Sequence, residues 1–236
     1  MPHWRCRALR KLRSFVLQTA KTVKLARMKQ SRILLLAIAA TVAACGGSAE
    51  NQYAIHDTKF RSLGAAGVVV EPGAGNCVED SATGLIWESK TDTAGLHYWG
   101  NRYTWFNPNE NNDELDYRGV EDGGECTGSS CDTWNFVLAV NDQGLCGFHD
   151  WRMPTRNELY SISDQRRVDN PPTANVDYFP YMQADEYWTG FDYAMQYESA
   201  WAWNFVYGHD RVDWKRAPKY VRLVRGQAAE LQEVKE

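Results

Sequence analysis

Apolar positions along this chain recur at two periods, and each predicts its own element. Trp134, Val137, Leu138 and Asn141 fall at helical spacing behind Asp132, a residue suited to the N-cap, and Gly144 signals the end of that helix. A second helix follows Thr155-Arg156-Asn157-Glu158. In this capping box Thr155 and Glu158 satisfy each other's free amides, and Leu159 and Ile162 continue the apolar face. Elsewhere the pattern reads as short strands at 84–88, 187–190 and 220–224. Residues 199–207 alternate, with Trp201, Trp203, Phe205 and Tyr207 on one side and Ala200, Ala202, Asn204 and Val206 on the other. Gly208-His209-Asp210 then reads as a turn into Arg211–Trp214. Two helices among several short strands predict an α+β fold.

The first 44 residues break this pattern. They carry ten Lys and Arg and no Asp or Glu, and 33–40 form a short apolar run. A basic block, an apolar run and small residues make an export signal. The run is shorter than the ~20 apolar residues of a spanning helix. Val42-Ala43-Ala44-Cys45-Gly46 resembles a bacterial lipobox, in which the cysteine becomes the acylated first residue of the mature chain; an ordinary signal peptide with a chance cysteine is the alternative. Gly46 stands where an inner-membrane retention signal places Asp, which favours the outer membrane of a Gram-negative bacterium. Met28 alone would open a normal signal, so translation is expected to start there; an unusually long basic region from Met1 is the alternative. The expected organisation is a removed signal over 1–44, an acylated Cys45 with a polar tether to residue 60, a globular domain over 61–226 and a polar tail over 227–236.

Removal of residues 1–44 changes the charge. Lys and Arg fall from 26 to 16 against 30 Asp and Glu, a net −14. That argues against nucleic acid as a partner and against bulk attraction to anionic lipid, so membrane contact is expected through acyl chains. Four cysteines remain besides Cys45, and an even number in an exported chain reads as disulfides. Three pairings exist; Cys126–Cys131, across a Gly/Ser turn, with Cys77–Cys146 is the favoured one. A zinc site is the alternative, but the spacing fits no zinc pattern.

Between about 106 and 131 lies an irregular acidic insertion. Asp113, Glu114 and Asp116 are its candidate calcium ligands, although no EF-hand spacing is present and a solvated loop is the plainer reading. Near the end, Arg211, Lys215, Arg216, Lys219, Arg222 and Arg225 would bind sulfate or carboxylate if they shared a face. The plainer reading scatters them, with Arg222 in a structural ion pair.

Several segments resemble the Lcl C-terminal domain family, named after a bacterial collagen-like adhesin and long without an assigned function. They are Cys77–Glu88, Tyr103–Pro108, Cys126–Gly128, Gly144–Gly147, Asp150–Leu159, Tyr187–Thr189 and Val221–Gly226. Asp150-Trp151-Arg152-Met153-Pro154-Thr155-Arg156-Asn157-Glu158-Leu159 is the most specific stretch. The resemblance implies a C-type-lectin-like domain with two helices and a twisted, mostly antiparallel sheet. It also implies an adhesin-like role, since the best-known member binds sulfated glycosaminoglycans. This chain lacks a Gly-X-Y stalk, and its acidity weakens the case for a polyanionic ligand.

The function expected is a lipid-anchored envelope module that recognises a glycan or another surface ligand. Aromatic faces stack on sugar rings while amides and charges reach hydroxyls. The ligand candidates are Trp188, Trp201, Trp203, Asn204, Lys215 and Arg216; the plainer reading puts at least half of the tryptophans in the core. An envelope assembly lipoprotein binding a protein partner is the alternative. His56, His97, His149 and His209 sit in no nucleophile or zinc-protease pattern, and no carboxylate spacing singles out a pair, so no enzyme is expected.

Overall fold

The structure, a computed structural model, describes residues 59–110 and 115–227. The expected signal, Met28, Cys45, most of the tether and nearly all of the tail lie outside them. Among the described residues the fold is α+β, built from two antiparallel sheets, two α-helices and two disulfides.

Five strands make the first sheet: β1 (Phe60–Leu63), β2 (Val69–Val70), β3 (Cys77–Asp80), β4 (Leu85–Glu88) and β8 (Val224–Arg225), in the order β2-β1-β3-β4-β8. All four pairings are antiparallel. Phe60, read as the last tether residue, is only 7% exposed and packs edge-on against Phe179, so the packed domain already includes it. The second sheet is β5 (Glu186–Asp192), β6 (Ser199–Asn204) and β7 (His209–Trp214).

Both helices stand where the capping signals put them. α1 spans Thr133–Gln143 and stops at Gly144, whose φ of 72° is left-handed. α2 spans Arg156–Ser161 behind the complete Thr155–Glu158 capping box. Asp132 accepts from the Asn135 amide at 2.9 Å and the Asn135 side chain at 2.8 Å, and it is fully buried. Asp132→Ala is expected to cost about 1 kcal/mol or somewhat more, read as a lower urea midpoint at constant m-value.

Residues 199–207 keep their expected alternation only in part. Trp201 and Trp203 share a face, with Ala200, Ala202 and Asn204 opposite, but both faces are covered. The alternation is of large against small, which packing requires, and not of apolar against polar. The turn also falls earlier than expected. Asn204 Oδ1 accepts from the amides of Val206 (2.8 Å) and Tyr207 (3.1 Å), so the chain reverses over 205–208. His209 and Asp210 therefore begin β7 instead of making the turn. The expected strand at 220–224 is divided as well. Tyr220 bridges Tyr187 in the second sheet, while Val224 pairs with Trp87 in the first. One extended segment thus links two sheets without lengthening either.

The acidic insertion is no free excursion. Phe106 pairs with Gly119, and Arg102 exchanges two 2.8 Å hydrogen bonds with Glu125. Gly119 has φ 86°, and a Cβ there would lie 2.2 Å from the Trp105 carbonyl, so only glycine permits this return. Cys126–Cys131 staples the tip, with Cα atoms 5.4 Å apart. Cys77–Cys146 ties β3 to the turn after α1, beside a core of Tyr103, Trp105, Phe136, Val140, Trp151 and Trp188. Both bridges follow the favoured pairing. A second core gathers Phe60, Trp87, Leu159, Phe179, Tyr187 and Phe205.

Candidate functional site

The structure scatters the candidate ligand residues, and most serve the interior. Trp188 is fully buried, its indole N–H donating to the Tyr103 carbonyl at 2.9 Å. Trp203 is buried with the Tyr160 ring edge-on at 5.8 Å. Asn204 spends its side-chain oxygen on the β6–β7 turn. Lys215 is 2% exposed; its ammonium donates to the Tyr117 carbonyl and lies 4.4 Å from the Trp105 ring centre. Trp201 is half-buried beneath the Arg156 guanidinium, 4.0 Å from its ring centre. Arg216 alone is exposed, stacked on Trp214 at 4.8 Å.

The basic cluster does not form a face. Arg222 is wholly buried and donates to the backbone carbonyl of Glu88 at 2.6 Å, so its partner is a peptide oxygen and not a carboxylate. Lys219 is buried between Glu186 and Asp213, 2.5 Å from each. Arg225 pairs with Asp150 at 2.7 Å. The chain alternates these cations between strand faces and interior, which sequence proximity could not reveal.

The acidic insertion uses its carboxylates internally. Arg118 holds Asp116 through two 2.8 Å hydrogen bonds, and these donors bring its carboxyl down to about 2. Asp122 accepts from the Cys131 amide at 2.7 Å. Asp113 and Glu114 lie outside the described residues. Among the described residues no group of three His, Cys, Asp or Glu side chains is arranged to hold a metal ion.

A different cleft, of about 410 Å³, has the makings of a ligand site. Phe106, Trp134 and Phe191 give it aromatic walls, and Trp105, Val137 and Met153 complete the apolar lining. Its polar groups are few: Asn107, Thr133, Thr155 and Arg152. Each element presents a side chain for a local reason. Thr133, first residue of α1, clamps Phe106 by donating to its carbonyl and accepting from its amide, both at 2.9 Å. Trp105 is fixed by its indole N–H on the Thr189 carbonyl at 3.0 Å. Gly190 lets β5 approach, since a Cβ would stand 3.0 Å from Met153 Cβ. Arg152 forks onto Glu158 at 2.8 and 2.6 Å and reaches the Gly226 carbonyl at 2.8 Å. Burial works to raise the Glu158 carboxyl, but the Arg152 and Thr155 donors outweigh it and hold it below the ordinary carboxylate range. Arg152 is therefore already neutralised, and no unpaired charge lines the cleft.

Trp134 and Phe191, which line this cleft, were not among the candidates. In the sequence Trp134 only opens the apolar stripe of the first helix, and Phe191 falls just beyond the expected strand at 187–190, though β5 includes it. Only the crossing of α1 and β5 brings them together. A smaller cleft of about 250 Å³ contains Lys215 and Arg216 beside Trp214, Tyr197, Asp116 and Glu198.

A buried ionic centre also went unforeseen. Glu88 is fully buried at the end of β4. Its Oε1 meets the Lys90 ammonium at 2.7 Å and His97 Nδ1 at 2.8 Å, while Oε2 accepts from the Leu223 amide at 3.0 Å. Burial pushes the carboxyl up, yet Lys90 and His97 together bring it down to about 2. Burial pushes Lys90 down, partly offset by Glu88. His97 is held from its other side by Gln143, whose side-chain oxygen lies 2.6 Å from Nε2.

A family model described as the Lcl C-terminal domain matches residues 76–225, more than half of the chain. No curated protein and no solved structure matches it. Among the described residues no helix is long and apolar enough to cross a membrane.

Proposed function

Because this chain belongs to the Lcl C-terminal domain family, which fixes a scaffold and not an activity, we propose that it is a non-catalytic recognition module of the cell envelope. In this reading it is anchored by acylated Cys45 to the outer membrane and binds a glycan in the cleft between α1 and β5. The domain is then a relative of the C-type-lectin-like fold, a reading supported by two helices, antiparallel sheets and two disulfides.

The observation that carries the reading is the composition of the cleft. Its volume and its mostly apolar lining with a few placed polar groups are those of small-molecule sites. Trp134 and Phe191 offer ring faces for the apolar side of a sugar, and the Asn107 side chain and the Thr155 hydroxyl offer partners for its hydroxyls. With Arg152 committed to Glu158, the ligand favoured is a neutral saccharide and not a sulfated one. The test is a glycan array followed by titration, with calcium and with chelator. Trp134→Ala and Phe191→Ala are each expected to weaken binding about tenfold, the worth of one aromatic contact. Unchanged affinity in both variants would remove the cleft from the reading. Loss of binding in chelator would bring the acidic insertion, with Asp113, Glu114 and Asp116, into it.

One observation favours a protein partner instead. Leu138 (50% exposed), Phe191 (55%) and Met195 (85%) leave large apolar groups in solvent. Absence of glycan binding by the folded domain would turn the reading to such a partner, sought by cross-linking in the intact envelope.

A further inference from the structure

The β1–β2 connection departs from the usual surface of an acidic domain. Residues 62–70 read Ser-Leu-Gly-Ala-Ala-Gly-Val-Val-Val, without a charge. Residues 65–69 are all exposed, with Val68 at 63% and Val69 at 61%. Five consecutive exposed apolar residues at a sheet edge are avoided unless they have a use, because they invite association.

The backbone here is tied back on itself. Gly64 N–H donates to the Val68 carbonyl at 2.8 Å, Gly67 N–H to Gly64 at 3.2 Å, and Val68 N–H to Ala65 at 3.4 Å. Ala66 (φ 56°) and Gly67 (φ 73°) take left-handed conformations to close the turn. A loop with three of its amides paired internally enters an apolar medium at lower cost than a fully open one, since unpaired backbone groups are what such a medium excludes.

We propose that this hairpin tip inserts into the interfacial region of the bilayer that holds the acyl anchor, and so fixes the orientation of the domain on the membrane. The inference rests on the acylated Cys45 of the proposed function. Thirteen residues, 46–58, separate the anchor from the described domain, and a segment of that length reaches at most about 45 Å. The domain therefore meets the bilayer at high effective concentration, and a weak apolar contact suffices. An uncharged tip suits a domain whose net negative charge opposes anionic headgroups. It carries no aromatic ring or charge with which to specify a protein partner.

The test uses the whole chain, expressed in a Gram-negative host and reconstituted in phosphatidylethanolamine–phosphatidylglycerol vesicles. An environment-sensitive fluorescent residue replaces Val68 or, as a control, Met195, which is 85% exposed. Intact mass reports acylation. The expected result is a blue shift with a severalfold rise in emission at 68 on vesicles, quenched by lipids labelled near the headgroup, with no change at 195. Val69→Asp should abolish most of the rise while leaving the protein vesicle-bound. Water-like emission at 68 in acylated, vesicle-bound protein overturns the proposal. Emission already blue before vesicles are added, and falling on dilution, assigns the tip to a second copy and also overturns it. Protein that lacks the acyl mass and stays off vesicles overturns it through its anchor, a failure that the mass distinguishes from the other two.

Discussion

Replacement of Glu88 by alanine is expected to lower the unfolding free energy by about 3–5 kcal/mol, the usual cost of removing one partner from a buried ion pair. The loss arises from the groups left behind. Lys90, 6% exposed, would keep its charge without its carboxylate, and the Leu223 amide would lose its acceptor. Glu88→Gln keeps the shape and separates charge from volume. The same site makes the domain sensitive to acid. Its folded-state value of about 2 lies below the ordinary 4.5, so its contribution is fully present above pH 4.5. It fades as pH falls from there towards about 2. The difference is worth about 3 kcal/mol. Urea midpoints at pH 6 and pH 3 test this: the gap between wild type and Glu88→Gln should narrow at pH 3. An equal gap at both values would remove Glu88 as the source.

The second large effect belongs to the bridge between Cys77 and Cys146. It closes a loop across 69 positions, and its removal by a double Cys→Ser change should cost about 4 kcal/mol on chain-entropy grounds. Loss of Cys126–Cys131, with a separation of 5, should cost distinctly less, since the closed loop is short. The long bridge also joins β3 to the turn after α1, so it holds the first sheet against the helix that walls the cleft. Thermal unfolding of the two double variants, measured without reductant, orders the effects. A larger loss for the short bridge would show that local geometry outweighs loop length here.

These two sites also show unequal legibility in the sequence. The disulfides could be favoured from counting, compartment and one Gly/Ser turn. Glu88 gave no signal, because nothing near it in the chain marks the strand end as the meeting place of Lys90, His97 and the 222–223 backbone.

What the sequence by itself determined is local. The Asp132 cap, the Thr155–Glu158 box and Gly144 fixed both helices, because capping is decided by atoms within four residues. The family was legible for a related reason: its most specific stretch, Asp150–Leu159, includes the capping box and Arg152, whose guanidinium forks onto Glu158. Whatever depends on which faces meet was left to the tertiary structure. The sequence could expect some tryptophans in the core but not say which, since Trp188 and Trp203 are buried only because α2 covers one face of β6 and the first core covers the other. The basic residues near the end look clustered in one dimension and are dispersed in three. The cleft itself joins residues from 105 to 191, separated by about half of the domain, and no periodicity along the chain can report a contact of that span.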